Sequence, residues 1–292
     1  MKQSAVKAAR VPVGTVGVLK AIVFPVVFLV ACMIACGAFA GQAHAGELVA
    51  GSQVKAQAAK TEYNVWVGGV RVTSANKGNV LGGKKKSVVY NPKTNTLTLR
   101  NAKIKGGLSW NSGYGNDGIL STTGTTLNIK LVGANTITVP AKSTSISDGI
   151  AAFNESTSAF ADIMVYGSGS LTAKAASATY YSNGISVANL TVKGSAKLVL
   201  EGKGVSNKDY DQYGGYGANA TSGIVITGNA RVTASGTKAA FYTYEGRVTP
   251  TYKKYTPQVK AGSSAKSIKV NRKKPAKSVY SKYKYVSIVK AK

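Results

Sequence analysis

Acidic side chains are scarce in this 292-residue chain: ten Asp and Glu stand against 38 Lys and Arg, a formal charge of +28. Cysteine occurs only as Cys32 and Cys36, and the single histidine is His44. All three fall within the first 45 residues, so residues 46–292 hold neither type. That absence excludes disulfides, zinc sites built on Cys or His, a cysteine nucleophile and a Ser-His-Asp triad from residues 46–292. Those residues also lack any apolar run with a 3.6-residue period, which leaves an amphipathic helical bundle without its pattern.

The one long apolar run is Ala21 to Ala40, and it follows Lys2, Lys7, Arg10 and Lys20 with no acid among them. It ends in Gly-Gln-Ala-His-Ala, with Ala43 and Ala45 at the small-x-small positions of a leader cleavage site. Residues 1–45 read as a secretory signal peptide, which makes the protein secreted or held at the cell surface. One alternative is an uncleaved membrane anchor through residues 21–40, a stretch of spanning length. Another is acylation at Cys32, because Leu29-Val30-Ala31-Cys32 resembles a lipobox.

Removal of residues 1–45 takes the formal charge from +28 to +24. A surface of one sign attracts polyanions. For an exported protein these are acidic polysaccharides, anionic wall polymers and lipid headgroups, and binding to nucleic acid would be non-specific. No acid follows Glu245. The tail beyond it interleaves Lys253, Lys254, Arg272, Lys273, Lys274, Lys282 and Lys284 with Tyr252, Tyr255, Tyr280, Tyr283 and Tyr285. Those basic residues are the candidate polyanion contacts. The alternative reading is a soluble basic face with strand tyrosines.

Residues 46–61 read as a linker of small and polar residues. From Glu62 onward, short runs of Val, Ile, Thr and Tyr alternate and are bounded by Gly, Asn, Ser and Lys. Val65-Trp66-Val67, Gly68-Gly69 and Val70-Arg71-Val72 predict a hairpin, since Gly-Gly supplies the positive φ of a tight turn. Ser87 to Tyr90 and Leu97 to Leu99 flank Asn91-Pro92-Lys93-Thr94-Asn95, a second predicted hairpin. Then a unit recurs roughly every thirty residues. Gly-Ile follows a small polar residue at Asp117-Gly118-Ile119, Asp148-Gly149-Ile150, Asn183-Gly184-Ile185 and Ser222-Gly223-Ile224. An apolar alternation, a Gly and an apolar residue four later accompany them, as in Leu127, Ile129, Leu131, Gly133 and Ile137, or Leu190, Val192, Gly194 and Leu198. The pattern predicts an all-β chain, a right-handed parallel β-helix with amino-terminal hairpins, over residues 62–292, with a basic Tyr/Lys-rich end from about 250. A β-sandwich is the alternative.

Tyr63 to Val70, Tyr90 to Leu99, the Gly-Ile coils and Tyr285-Val286-Ser287-Ile288 resemble a family of exported bacterial surface proteins. That family is described as uncharacterised or as carbohydrate-binding-domain-like, with a parallel β-helix. The resemblance runs from about Glu62 to the end and rests on turns and corners. It implies a surface role and carbohydrate as the ligand class. Related β-helical proteins bind plant wall polysaccharides and calcium, which would need acidic ligands that this chain largely lacks.

Hydrolysis of a glycosidic bond needs two carboxyl groups close together. Asp117 and Asp148 occupy equivalent coil positions and stack one rung apart in this reading, but Asp or Asn before Gly is also ordinary turn chemistry. Asp209-Tyr210-Asp211 is the close carboxylate pair and a weak calcium candidate. No cofactor and no catalytic residue is assigned. The loops ahead of the Gly-Ile corners carry Trp110, Tyr114 and Asn116, then Tyr180, Tyr181 and Asn183, then Tyr210, Tyr213 and Tyr216. Aromatic faces stack on sugar rings and amides bond hydroxyls, so these nine residues form the candidate glycan strip. The sequence reading is a non-catalytic surface protein whose partner is a polysaccharide or anionic wall polymer. The alternatives are an adhesin-like module for host protein or matrix, and an acidic-polysaccharide lyase or hydrolase. The exported protein is expected to begin at Gly46. Its intact mass checks this, and a mass that retains residues 1–45 or a lipid on Cys32 would refute cleavage there.

Overall fold

The computed structural model describes residues 60–142, 144–204, 214–244, 246–253, 255–273 and 278–291. Two antiparallel pairs come first. β1 (Glu62–Val67) pairs with β2 (Val70–Thr73), and Val67 faces Val70 across Gly68 and Gly69, whose φ angles are 58° and 86°. These are the two positive φ values that a right-twisted two-residue hairpin requires. β3 (Val88–Asn91) pairs with β4 (Thr96–Arg100). In that turn Asn91 Oδ1 accepts from the Lys93 N–H and Asn95 takes φ 43°. Both predicted hairpins are present.

The coils follow. After β5 (Lys103–Lys105) and β6 (Leu108–Trp110), the chain lays down β7 (Gly115–Ser121). β8 (Leu127–Val132), β9 (Ala134–Val139) and β10 (Ile146–Ala152) make the next coil. β11 (Ile163–Gly167), β12 (Ser170–Ala175) and β13 (Tyr181–Val192) follow, then β14 (Lys197–Gly202), β15 (Gly215–Thr227), β16 (Arg231–Gly236), β17 (Ala239–Tyr242) and β18 (Val248–Thr251). Parallel pairing stacks them on three faces. The first holds β7, β10, the starts of β13 and β15, and β17. The second holds β4, β8, β11, the ends of β13 and β15, and β18. The third holds β5, β9, β12, β14 and β16. The result is a parallel β-solenoid of about four turns.

Inward residues form ladders that no single coil can bury. Leu127, Ile163, Leu190 and Ile224 stand in register, as do Ile129, Val165, Val192 and Ile226, and all are buried. Each such side chain is worth roughly 1.5–3 kcal/mol when fully buried. The predicted unit holds for Leu171, Leu198 and Val232, which are level. Its first instance is offset. Ile137 sits level with Ala173, and Asn135 takes the place opposite Leu171. Asn135 is buried there because its amide is satisfied: Oδ1 accepts from the Ala102 N–H, and Nδ2 donates to backbone carbonyls that include Ser170 O at 3.0 Å.

A second correction concerns the Gly-Ile corners. Asp117, Asp148 and Asn183 are level, and the fourth residue of that row is Tyr216. The fourth corner is therefore Tyr216-Gly217-Ala218. Ser222-Gly223-Ile224 belongs to the second face, where Ile224 meets Leu190. The glycines of the true row hold the first face close to its neighbours. A Cβ on Gly118, Gly149 or Gly184 would lie 2.5–2.7 Å from the carbonyl oxygen of the next glycine in the row.

Both open ends are covered, as sheet edges require. At the amino end β1 runs antiparallel along β7 and β3 along β4. At the carboxy end β21 (Tyr285–Lys290) runs antiparallel on β16 and carries β19 (Pro257–Ser264) and β20 (Ser267–Lys273) beyond it. A short helix α1 (Val279–Lys282) precedes β21 and packs on β17. The third face thus grows into an eight-stranded sheet. Gly184→Ala is expected to cost about 2 kcal/mol or more, because backbone lies on both sides of the new methyl. Gly78→Ala, with open space around it, should cost under about 0.5 kcal/mol. Urea midpoints of the two variants check the contrast.

Candidate functional site

Two regions carry the polar chemistry. The first is the corner where the third face turns into the first. The segments at 106–114, 140–142, 144–145 and 176–180 lie at this corner, and β14 ends and β15 begins there, as the strand order dictates. Their backbones interlock: Ser145 and Ile146 N–H donate to Tyr114 O, and Tyr180 N–H donates to Ser145 O. Tyr114, Ser145 and Tyr180 therefore lie on successive rungs, about 4.8 Å apart.

Of the nine candidate glycan contacts, Asn116, Asn183 and Tyr216 are buried, at 0, 1 and 7% exposure. They present no surface to a ligand in this structure. Asn116 Nδ2 donates to Pro140 O, Asn183 Nδ2 to Asp148 Oδ1, and the Tyr216 ring lies 5.1 Å from that of Tyr242. Trp110, Tyr114, Tyr180 and Tyr181 are half-buried at the mouth of the corner. Trp110 packs against Tyr114 at 5.7 Å and Phe153 at 6.0 Å between ring centres. Tyr210 and Tyr213 lie outside the described residues, as do the calcium candidates Asp209 and Asp211.

Beneath Trp110 is a buried polar row. Asp117 Oδ2 accepts from Trp110 Nε1 at 2.7 Å, and Asp148 Oδ1 accepts from Asn183 Nδ2 at 2.8 Å. Asp117 Oδ1 and Asn183 Oδ1 have no hydrogen-bond partner. Burial pushes the Asp117 carboxyl well above the usual carboxylate range, and the Asp148 charge pushes the same way. The Trp110 indole and the Asp148 backbone N–H act against that rise. Burial also raises Asp148, to about 7, against hydrogen bonds from the Asn183 side chain and backbone. The other described acids hold structure together. Glu62 pairs with Arg71 and Glu201 with Lys174. Glu155 accepts from Thr122, and Asp162 takes the backbone and side-chain N–H of Asn189. Among the described residues no group of three His, Cys, Asp or Glu is placed to hold a metal ion.

The second region is the outer face of the eight-stranded sheet. One column runs Lys103, Thr136, Thr172, Val199, Thr233, Ser287, Lys260 and Asn271, each level with the next. Eight strands spaced at about 4.8 Å make this platform about 34 Å long. Lys197 and Arg231 stand level beside it, both exposed. The only acid in these eight strands is Glu201, and Lys174 neutralises it at 2.9 Å.

Of the candidate polyanion contacts, Arg272 and Lys273 end β20, Lys282 lies in α1, Lys284 precedes β21 and Lys253 follows β18, and all five are exposed. Lys254 and Lys274 lie outside the described residues. The sequence reading missed Lys103, Lys197 and Arg231. Lys197 and Arg231 each fall three residues after a corner glycine, Gly194 and Gly228, and that spacing was a usable sign. Lys260 belongs to the basic tail, but its place in this column follows from the antiparallel return of the chain onto β16.

Fold and surface define a capped parallel β-solenoid with a basic sheet face. Comparison with known proteins finds no matching family model, curated protein or solved structure. The functional reading therefore rests on this chain's own surfaces. Among the described residues no helix is long and apolar enough to cross a membrane.

The buried carboxyl pair sets a pH dependence. A carboxyl whose folded pKa is raised binds its proton more tightly in the native state, so stability falls as pH climbs from the unfolded value toward the folded one. For Asp148 that window runs from about 4 to about 7. Asp148→Asn keeps the shape and removes the charge. It is expected to be more stable than the unaltered chain at pH 8, on the order of 2 kcal/mol, and no more stable near pH 4. Urea midpoints against pH measure this.

Proposed function

We propose that this protein is an exported, non-catalytic binding module for an anionic polymer outside the producing cell, an acidic glycan or anionic wall polymer. The sheet face carries the reading. Its columns repeat every rung, and its basic side chains are balanced by a single acid that already has a partner. A linear polymer with regularly spaced charges matches such a surface better than a compact ligand does. The hydroxyls of Thr136, Thr172, Thr233 and Ser287 lie between the cations and suit hydrogen bonding to sugar or phosphate oxygens. Trp110, Tyr114, Tyr180 and Tyr181, at the mouth of the first corner, offer a second contact by ring stacking. The six described acids have structural partners or lie buried, which favours binding over hydrolysis.

Residues 46–292 should bind immobilised polygalacturonate or wall teichoic acid, with affinity falling steeply as salt is raised. Neutral glucan should be retained far less. Replacing Lys197, Arg231 and Lys260 together by Gln should weaken binding about tenfold or more while the circular dichroism stays β-rich. Retention that ignores both salt and the triple substitution would refute the sheet face. Retention on neutral sugars alone would move the site to the aromatic mouth.

A further inference from the structure

Two carboxyls on adjacent rungs, buried to 1 and 4% exposure, are an expensive arrangement. Unpaired charge in a dry site costs several kcal/mol. Neither Asp117 nor Asp148 has an ion-pair partner among the described residues. The elements packed around them supply dipoles. β6 gives the Trp110 indole, β10 the Asp148 backbone N–H, and β13 the Asn183 amide and backbone. The charged side chains on the adjoining turns, Lys105 and Lys142, are exposed and form no ion pair with either acid, and Tyr114 stands against Trp110. Asp117 Oδ1, wholly buried, accepts from no donor. An acceptor of that kind is the position at which a carboxyl keeps a proton.

We propose that Asp117 and Asp148 share one proton and that the pair acts as a pH-sensitive latch on Trp110. With the proton in place the pair carries one negative charge, Trp110 Nε1 bonds Asp117, and the indole covers the row. When the proton leaves, two like charges about 4.8 Å apart face each other without a counter-ion. Hydration is the available relief, and half-buried Trp110, bonded to Asp117 Oδ2, is the contact of this pair that lies at the mouth. Rising pH thus loosens Trp110 and admits water to the corner. The two titrations belong to the pair rather than to either residue. The latch is independent of whether the sheet face binds a polymer.

Residues 46–292 contain no histidine, so the usual source of titration near neutral pH is missing. They hold two tryptophans, Trp66 and Trp110. In a Trp66→Phe chain, Trp110 emission and its acrylamide quenching are expected to titrate once between pH 7 and 9.5, alkaline of the value of about 7 at which Asp148 ionises, with greater quenching on the alkaline side. Asp148→Asn in the same background should abolish the transition. If Trp66→Phe does not fold, the indole ¹H–¹⁵N resonances of the unaltered chain report the same step, with Trp110 assigned by Trp110→Phe. Signals flat across this range would overturn the latch, and so would a transition that persists unchanged in Asp148→Asn.

Discussion

No coil of this solenoid can bury its own apolar side chains, so every coil depends on the register of the next. The inward ladder of Leu127, Ile163, Leu190 and Ile224 is one expression of that constraint. The glycine row at Gly118, Gly149, Gly184 and Gly217 is another, because a side chain there would meet the backbone of the following rung. Register converts a loose sequence repeat into fixed columns. It places Thr136, Thr172 and Thr233 in one line on the sheet and Asp117 directly over Asp148. The same force that stabilises the core therefore sets the spacing of whatever the surface presents.

The hairpins were legible because their chemistry is local. Gly68-Gly69 and Asn91-Pro92 encode their turns without help from the rest of the chain. The strands were legible from alternation, and the coils from recurrence. What was not legible came from places where tertiary context outranks local pattern. Asn135 reads as a loop residue, yet it replaces a leucine in the buried row because four backbone groups meet its amide. Gly223-Ile224 matches the corner motif and sits on another face, since β15, like β13, runs straight through a corner that the first two coils break. Of the candidate site, the clustering of loops at one corner followed from the repeat. The burial of Asn116, Asn183 and Tyr216 did not, because no one-dimensional pattern separates an outward polar residue in water from one beneath a neighbouring loop.

Charge is distributed by the same logic. The chain has few acids, and those described hold particular places. Glu62 and Arg71 lie on the first hairpin, Glu201 and Lys174 cross two rungs, and Asp162 holds Asn189 between coils. None is left to balance the cations of β19, β20 and β21. Surface ion pairs add little to stability, so the missing acids cost the fold little. Their absence leaves a long field of one sign on the sheet, and such a field attracts anions from a distance.

The buried acids are the exception, and their position explains why they persist. Asp117 and Asp148 lie at the first two rungs, where the amino-terminal caps end and Trp110 closes the corner. An aliphatic pair there would satisfy the core without the desolvation cost. It would also leave the Trp110 indole N–H with no carboxylate acceptor and the Asn183 amide without Asp148. The row ties β6 to β7 through Trp110 and Asp117, and β10 to β13 through Asp148 and Asn183, in addition to their strand pairing. A carboxyl can do this because it accepts strongly from a neighbouring N–H, and the proton the pair retains keeps the arrangement from carrying two charges. Ionic chemistry in this protein thus takes two separated forms: cations spread over the sheet in contact with water, and a single shared negative charge shut away at the corner.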